Sequence, residues 1–543
     1  MKYQKFPKIA LPDRTWPDGE ITEAPVWCSV DLRDGNQALI NPMDIDKKVR
    51  FFNLLVQMGF KEIEIGFPSA SETEFAFCRY LIEEGLIPDD VTISILTQAR
   101  EHLIARSAEA LEGAKSVIVH LYNSTSTMQR EIVFGKSQRE IVDIALQGVA
   151  WVKRYFRNFE GRVRLEYSPE SFTQTELPFA AEICNAVVDA WDPHEEERVI
   201  INLPSTVESA TPNIYADQIE WMCRHLKRRE QVLVSLHAHN DRGTAVAATE
   251  LALMAGADRV EGTLLGNGER TGNVDIVTLG LNMLTQGVDP KLDFSDVDKI
   301  VEVVEACNEI KTHPRHPYVG ALVYTAFSGS HQDAIKKGME RQKEGAKWYV
   351  PYLPIDPKDV GRSYESIIRV NSQSGKGGVS YILERVYGYK IPRQMQPAVA
   401  SAVQRVSDAE GGVLSEDKIA EIFRREFLNK TAPLKLEAVR IAIADQKAVL
   451  SAKLLREGRL HEVYAQGGGV IEALSRILHE EGIDFEVVYY HEDALSRGSD
   501  ASAVAYFGIR KAGKTYFGAG EAENITYASI NALLSACNIA LGA

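Results

Sequence analysis

Between residues 26 and 266 the chain alternates two patterns. Short apolar, β-rich runs recur: VWCSVD (26–31), EIEIG (62–66), VTISILT (91–97), SVIVHLY (116–122), RVRLEYS (162–168), RVIINLP (198–204), QVLVSLHAH (231–239) and DRVEGTLLG (258–266). Segments such as DKKVRFFNLLVQMGF and TAVAATELALMAGA separate them, with apolar residues at helical spacing. Strand–helix alternation predicts parallel pairing through right-handed crossovers. Eight such units in about 240 residues is the size of a closed (β/α)8 barrel. An open, doubly wound sheet is the competing arrangement, but no GxGxxG follows the first strand.

Beyond the barrel the rhythm changes. Residues 311–430 lack it and read as helices, as in AVASAVQRVSDAEGG and SEDKIAEIFRREFLN, and NKTAPLK (429–435) reads as a linker. Two similar blocks follow, with strands near 436–465 and 484–521, each closed by a helix (470–482 and 525–541). The expected fold is thus α/β: a (β/α)8 TIM barrel over 1–310, helical connecting subdomains over 311–430, and a duplicated α+β domain over 431–543.

The 543 residues supply ample core, and the formal net charge of −15 argues against a nucleic-acid scaffold, which needs a basic stripe to displace counterions. A few local cations still suffice for an anionic substrate. Cys28, Cys78, Cys184, Cys223, Cys307 and Cys537 are scattered with no CxxC pair, so a reducing compartment fits better than a disulfide framework. The first twenty residues are charged and proline-broken, and no apolar run reaches the roughly 18 residues of a membrane span. A cytoplasmic location without membrane contact is expected.

The chemically capable residues collect at strand ends, which is where parallel barrels carry their sites. Arg33 and Asp34 follow strand one and His120 lies in strand four. Ser168 and Glu170 follow strand five, and Thr206 strand six. His237 and His239 close strand seven, with Glu269 and Asn273 after strand eight. Side chains at i and i+2 on a strand point the same way, so both imidazoles reach one ion. An isolated HxH is usually a pair of satisfied polar side chains. With Asp34 adding a hard anionic oxygen and Asn273 a neutral one, the set instead suits Mg, Mn, Zn or Co in an open site. Arg33 either neutralises Asp34 or holds a substrate carboxylate or developing alkoxide. GNGERTGN (266–273) lacks the Walker spacing and its lysine and reads as a tight turn placing Glu269 and Asn273. SQSGKGG (372–378) also fails the phosphate-loop pattern.

LRDGNQ (32–37), HAHND (237–241) and GNGERTGN together resemble the metal-dependent Claisen-condensing barrel family, which holds synthases of 2-alkylmalate and homocitrate type and the hydroxymethylglutaryl-CoA lyases. NLPSTVESATPNIYAD (202–217), SGSHQDAIKKG (328–338) and YLPIDPKDVGRSYESIIRVNSQSGKGG (352–378) resemble its long, leucine-regulated branch, and the likeness runs from about residue 5 to the C-terminus. The resemblance implies condensation of acetyl-CoA with 3-methyl-2-oxobutanoate (2-oxoisovalerate) and thioester hydrolysis. It implies a divalent metal, Mg2+ first, with Mn2+ or Zn2+ as alternatives, on Asp34, His237 and His239 with Asn273 close by. Arg33 would stabilise the oxyanion. His120, Ser168, Glu170 and Thr206 would line the keto-acid pocket, and Leu96 and Pro204 would shape its apolar end. His331, working with Tyr364 and Glu269, is the implied base, with Glu170 as rival. Gly467, Gly469, Ile471, Ala501 and Tyr506 would form a leucine site in a C-terminal regulatory domain, for which an ordinary dimerisation domain is the competing reading. A homodimer is implied as well. Homocitrate and citramalate synthesis are the alternatives within the family. A metal-dependent hydrolase and a non-catalytic leucine sensor are the alternatives outside it.

Overall fold

A computed structural model describes residues 2–194, 197–326, 328–364, 376–410, 414–444, 447–495 and 502–542. Compactness divides the chain into a first unit, Met1–Val323 with Ile355–Ser363, and a second, Tyr324–Pro354 with Tyr364–Ala543.

Eight parallel strands close the first unit into a barrel in sequence order, as the alternation predicts. They are β1 (Val26–Ser29), β2 (Glu62–Gly66), β3 (Thr92–Gln98), β4 (Ser116–Ser124), β5 (Arg162–Glu170), β6 (Val199–Ser205), β7 (Val232–Ala238) and β8 (Arg259–Gly262). Closure is made by β1, which pairs with β2 (Cys28 opposite Glu62) and with β8 (Trp27 opposite Val260). Every residue of β6 and β7 is buried, which explains why these strands are mostly apolar rather than alternating with charged positions. Strand eight is shorter than its apolar run, because the chain turns at Leu264–Gly266, where Leu265 and Gly266 adopt positive φ.

The helices begin where the sequence supplies caps. Helix α1 (Ile45–Met58) starts at Asp44, whose carboxylate accepts from the Lys47 amide at 2.8 Å, and stops at Gly59 in the left-handed region. Between β2 and β5 lie α2 (Glu72–Glu83), α3 (Glu101–Leu111) and α4 (Gln138–Tyr155), the last opened by a Ser137–Glu140 capping box. Then come α5 (Leu177–Trp191), α6 (Pro212–His225), α7 (Ala245–Met254) and α8 (Ile276–Thr285).

The barrel interior is ionic. In EIEIG the glutamates occupy alternate positions and face inward, while Ile63 and Ile65 face the helices. Glu62 accepts from Arg259 Nε at 2.7 Å and pairs with Arg164 of β5. Arg259 Nη1 reaches Glu261 and Ser235 at 2.8 Å and Glu166 at 3.2 Å, all buried. A lone charge there would cost several kcal/mol, about 3–5 when one partner is removed, so the network forms as a set.

In the second unit α10 (Gly329–Arg341), α11 (Lys376–Tyr387), α12 (Gln396–Glu410) and α13 (Glu416–Phe427) precede two three-stranded antiparallel sheets; α9 (Val297–Asn308) belongs to the first unit. One sheet holds β9 (Leu434–Ala444), β10 (Lys447–Arg456) and β11 (Arg459–Gly467), followed by α14 (Val470–Glu480). The other holds β12 (Glu486–Ala494), β13 (Ala503–Lys511) and β14 (Lys514–Ala522), followed by α15 (Ile525–Gly542). This is the duplicated arrangement expected. Strand β13 has a core on each face: Ala505, Phe507 and Ile509 pack with Leu474, Ile477 and Leu533, whereas Val504 and Tyr506 pack with Val399, Phe423 and Phe427. Helix α15 is long and apolar enough to cross a membrane by length and composition, a run the sequence reading does not anticipate, and 61% of it is buried. It lies on β14, where a Cβ at Gly518 or Gly520 would collide with the α15 backbone.

Candidate metal centre and substrate cavity

After β1 the chain passes through a tight helical turn, Asp31–Gly35, which leaves Asp34 buried at the barrel mouth. Asp31 anchors that turn, accepting from Ser29 Oγ (2.8 Å) and from the Leu264 amide (3.0 and 3.1 Å). Burial pushes its carboxyl up to about 8. His237 on β7 and His239 just beyond it each hold Nε2 at 3.9 Å from Asp34 Oδ2. One ligand atom from each of the three lies within 4.8 Å of the others.

The protonation states suit a cation. Burial, and then the neighbouring His237, pushes His239 down to about 4, so it is a neutral imidazole. Burial raises the Asp34 carboxyl, but Arg33 and the two histidines outweigh it and hold the group below its ordinary value. His237 Nδ1 bonds Glu261 Oε2 at 2.7 Å, a carboxylate–imidazole contact that aims Nε2 at Asp34. Asn273 bridges to His239 through the backbone and donates Nδ2 to Asp34 Oδ2 at 2.5 Å. Its Oδ1 is buried with no hydrogen-bond partner, an orphan acceptor of the kind a cation or its water satisfies. Gly268, at φ +154°, lies against this pair. A Cβ there would collide with Asn273 Nδ2 and stand 3.1 Å from Asp34 Oδ2. One carboxylate, two imidazoles and a spare amide oxygen fit a divalent cation in an open site.

Above these residues is a cavity of about 320 Å3. It brings together Arg33, Asp34, Leu96, His120, Ser168, Glu170, Pro204, Thr206, His237, His239 and Glu269, all singled out from the sequence. Ser168 and Glu170 lie in the last turns of β5 rather than after it. His120 Nε2 stands 2.7 Å from Ser168 Oγ, and Asn202 Nδ2 donates to the same hydroxyl at 2.9 Å. Thr206 Oγ1 accepts from the Ser171 amide at 2.9 Å, which leaves its proton to donate into the cavity. The Ser124 hydroxyl donates to the Glu170 carboxylate. Arg270, at positive φ, is clamped by Asp241 (2.7 Å) and by the Thr206 carbonyl (2.5 Å), which sets the loop bearing Glu269.

Sequence reasoning missed the residues that hold these in place. Glu64 takes His120 Nδ1 at 2.6 Å and the Arg33 guanidinium as well. Glu261 does the same for His237, and Tyr122, Asn202, Gln37, Phe67 and Arg270 complete the lining. The available signal was glutamate at alternate positions in strands otherwise expected to be buried.

His331 and Tyr364 belong to the second unit and are not among the lining residues of this cavity. His331 is exposed in the first turn of α10, its ring stacked on Tyr352 with centroids 4.0 Å apart. Gly467 ends β11 and Gly469 caps α14. Ile471 packs on the core of Phe507, while Tyr506 points to the opposite face of the same sheet, so the two do not line one pocket within the chain. Ala501 lies outside the described residues, as does most of SQSGKGG.

The fold and the site define a barrel enzyme with a candidate divalent-cation centre. The chain matches the HMGL-like family over residues 24–304, the alpha-isopropylmalate synthase post-catalytic domain-like family over 321–384, and the LeuA allosteric (dimerisation) domain over 413–541. It is 55% identical to a 2-isopropylmalate synthase of Pseudomonas putida (strain W619), over 99% of this chain and 97% of that protein. It is 54% identical to one of Rhodospirillum rubrum, over 99% and 98%. The chain belongs to the 2-isopropylmalate synthase family, acyltransferases of leucine biosynthesis.

Proposed function

We propose that the chain condenses acetyl-CoA with 3-methyl-2-oxobutanoate and hydrolyses the thioester, giving 2-isopropylmalate and CoA. The observation that carries this is the Asp34–His237–His239 set beneath a cavity lined by Arg33, His120 and Thr206, in a chain that follows the named relatives from end to end. A divalent cation on those three residues, Mg2+ foremost, supplies Lewis-acid polarisation of a 2-oxo acid. Arg33, held by Glu64 and Asp34, directs its guanidinium at the oxygen on which charge develops. Thr206 and the His120–Ser168 pair hold the carboxylate end, and Leu96 and Pro204 receive the isopropyl group. The base toward the acetyl methyl is His331 with Tyr364 and Glu269, carried over from the family motifs, with Glu170 as the rival already in the cavity. Exchange of the acetyl-CoA methyl protons separates them. Loss in H331Q with retention in E170Q supports His331, and the reverse pattern selects Glu170.

Leucine inhibits through the α14 end of the second unit, with Gly467 and Gly469 letting backbone approach the amino acid. The LeuA allosteric (dimerisation) match supports this and a homodimer as the working form, and a cytoplasmic location goes with the leucine-biosynthetic reading. The deciding assay is CoA release by purified protein, stripped of metal and then reloaded, with 2-oxoisovalerate, pyruvate and 2-oxoglutarate. Metal-dependent release greatest with 2-oxoisovalerate is expected. Preference for another keto acid, or turnover without acetyl-CoA, overturns the reading.

A further inference from the structure

A second cavity of about 620 Å3 opens on the same face of the first unit. Its wall takes Lys5, Lys8 and Arg14 from the N-terminal segment, Ser209 and Thr211 from the loop between β6 and α6, and Arg242 from the loop between β7 and α7. Helix N-termini in a (β/α)8 barrel lie on the face that carries the chemistry, and α6 opens at this cavity.

Charge singles it out. Arg14 is bound bidentately by Asp217 at 2.8 and 3.0 Å. Lys5, Lys8 and Arg242 have no side-chain ion pair among the described residues. The nearby acids are already engaged: Asp217 by Arg14 and the Trp16 indole (2.7 Å), Glu208 by the Arg242 amide (2.5 Å) and the Thr244 hydroxyl, and Asp241 by Arg270. Glu208 is held only by uncharged donors and keeps its charge, so in a chain of formal net charge −15 the three cations Lys5, Lys8 and Arg242 outnumber it and leave a net positive field around one concavity. The start of α6 adds little to this field, since Pro212 has no N–H and the Ile214 amide bonds the Thr211 carbonyl at 2.9 Å.

The two cavities share their loops. Thr206 and His239 line the metal cavity, while Ser209 and Arg242, each three residues further on, line this one. Three residues span about 10 Å at most. One extended ligand can therefore reach from the metal cavity to this one, and the cations here suit an anionic far end.

We propose that this cavity binds the pyrophosphate and 3′-phosphate of the acyl-CoA co-substrate, with the pantetheine arm crossing to the metal cavity; this rests on the acetyl-CoA reading above. The full-length, metal-loaded enzyme tests it. In the K5A/K8A/R242A variant the KM for acetyl-CoA should rise about tenfold, and added salt should raise the wild-type KM in the same direction. The KM for acetyl-pantetheine, which carries no nucleotide, should move less than twofold. Calorimetric titration with adenosine 3′,5′-bisphosphate should show binding to the wild type that the variant loses. An unchanged KM for acetyl-CoA overturns the proposal. So does bisphosphate binding lost in the variant without any change in that KM, which marks the cavity as the site of a separate phosphorylated effector. A wild type that releases no CoA with any 2-oxo acid removes the acetyl-CoA reading itself, and this proposal with it.

Discussion

Glu261 to glutamine is a one-atom change whose effect on metal binding follows from two contacts. The carboxylate takes His237 Nδ1 at 2.7 Å through Oε2 and Arg259 Nη1 at 2.8 Å through Oε1. An amide has a single oxygen. If that oxygen keeps the His237 contact, the NH2 faces the Arg259 guanidinium, donor against donor. If it keeps Arg259, the NH2 faces Nδ1 and drives the imidazole proton to Nε2, the atom aimed at Asp34. Either arrangement weakens His237 as a ligand. Loss of such a supporting carboxylate typically lowers metal affinity about 10–100-fold, or roughly 1.4–2.8 kcal/mol.

The stability cost of the same change should be smaller than a broken buried ion pair suggests. Burial pushes the Glu166 carboxyl well above its ordinary range, against the pull of Arg259, and the charge of Glu261 adds to that. With Glu261 neutral, one of the charges opposing Glu166 ionisation is gone, and Glu166, 3.2 Å from Arg259, is placed to take over the pairing. The metal-free variant should therefore lose about 1–3 kcal/mol rather than the roughly 3–5 of an unreplaced partner. Activity against Mn2+ concentration after chelation reads the first effect, and urea unfolding of metal-free protein reads the second. Unchanged metal affinity would refute the orienting role of Glu261. A loss at the top of the larger range would refute the hand-over to Glu166.

Gly268→Ala should reduce metal-supported turnover at least tenfold with an unchanged circular dichroism spectrum, because the new Cβ displaces Asn273 from Asp34; wild-type metal dependence would contradict this. Burial raises the Glu62 and Glu64 carboxyls, but Arg259 and Arg33 respectively outweigh it and hold both below their ordinary value of 4.5. Their stabilisation is present above that value and is lost as pH falls through the folded-state value, whereas Glu166, raised, favours folding below its unfolded value and loses that contribution as pH rises. Glu261 is lowered too, so with three lowered groups against one raised the urea midpoint of the metal-free protein should drop between about pH 5 and 3, and a flat profile would count against the ionic network. At Gly469 a Cβ meets nothing within 4 Å, whereas at Gly467 it would stand 2.7 Å from the Ala473 amide nitrogen. Gly469→Val should thus keep the Tm within a few degrees and raise the leucine concentration for half inhibition at least tenfold, while Gly467→Ala lowers the Tm; unaltered inhibition in Gly469→Val would place the leucine site elsewhere. Cutting the chain near residue 430 is a poor test of inhibition, since it strips Val504 and Tyr506 from Phe423 and Phe427 and exposes a shared core.

The barrel was legible because its strands are buried on both faces and its helices on one, so hydrophobic period separates them cleanly. The metal ligands were legible for a related reason: strand ends in a parallel barrel converge, and Asp34, His237 and His239 stand at such ends. Glu62, Glu64, Glu166 and Glu261 were not, because a charge inside a predicted strand reads as a solvent-facing position until closure of the sheet shows that no solvent is there. Tyr506 failed differently. Period two placed it on one face of β13, but nothing in the chain says which face carries which helices, and its partners turned out to be α12 and α13.

An interior filled with carboxylates and guanidinium also changes how the barrel responds to heat. Apart from an Ile118–Ile200–Leu233 cluster inside the barrel, its apolar material sits in the ring between strands and helices, and unfolding wets that ring together with the charged centre. Apolar hydration raises the heat capacity of the unfolded chain and polar hydration lowers it. The first unit should therefore have a smaller heat-capacity increment than a barrel of equal length packed with branched aliphatics. Its stability would then vary less with temperature, with cold and heat denaturation lying further apart.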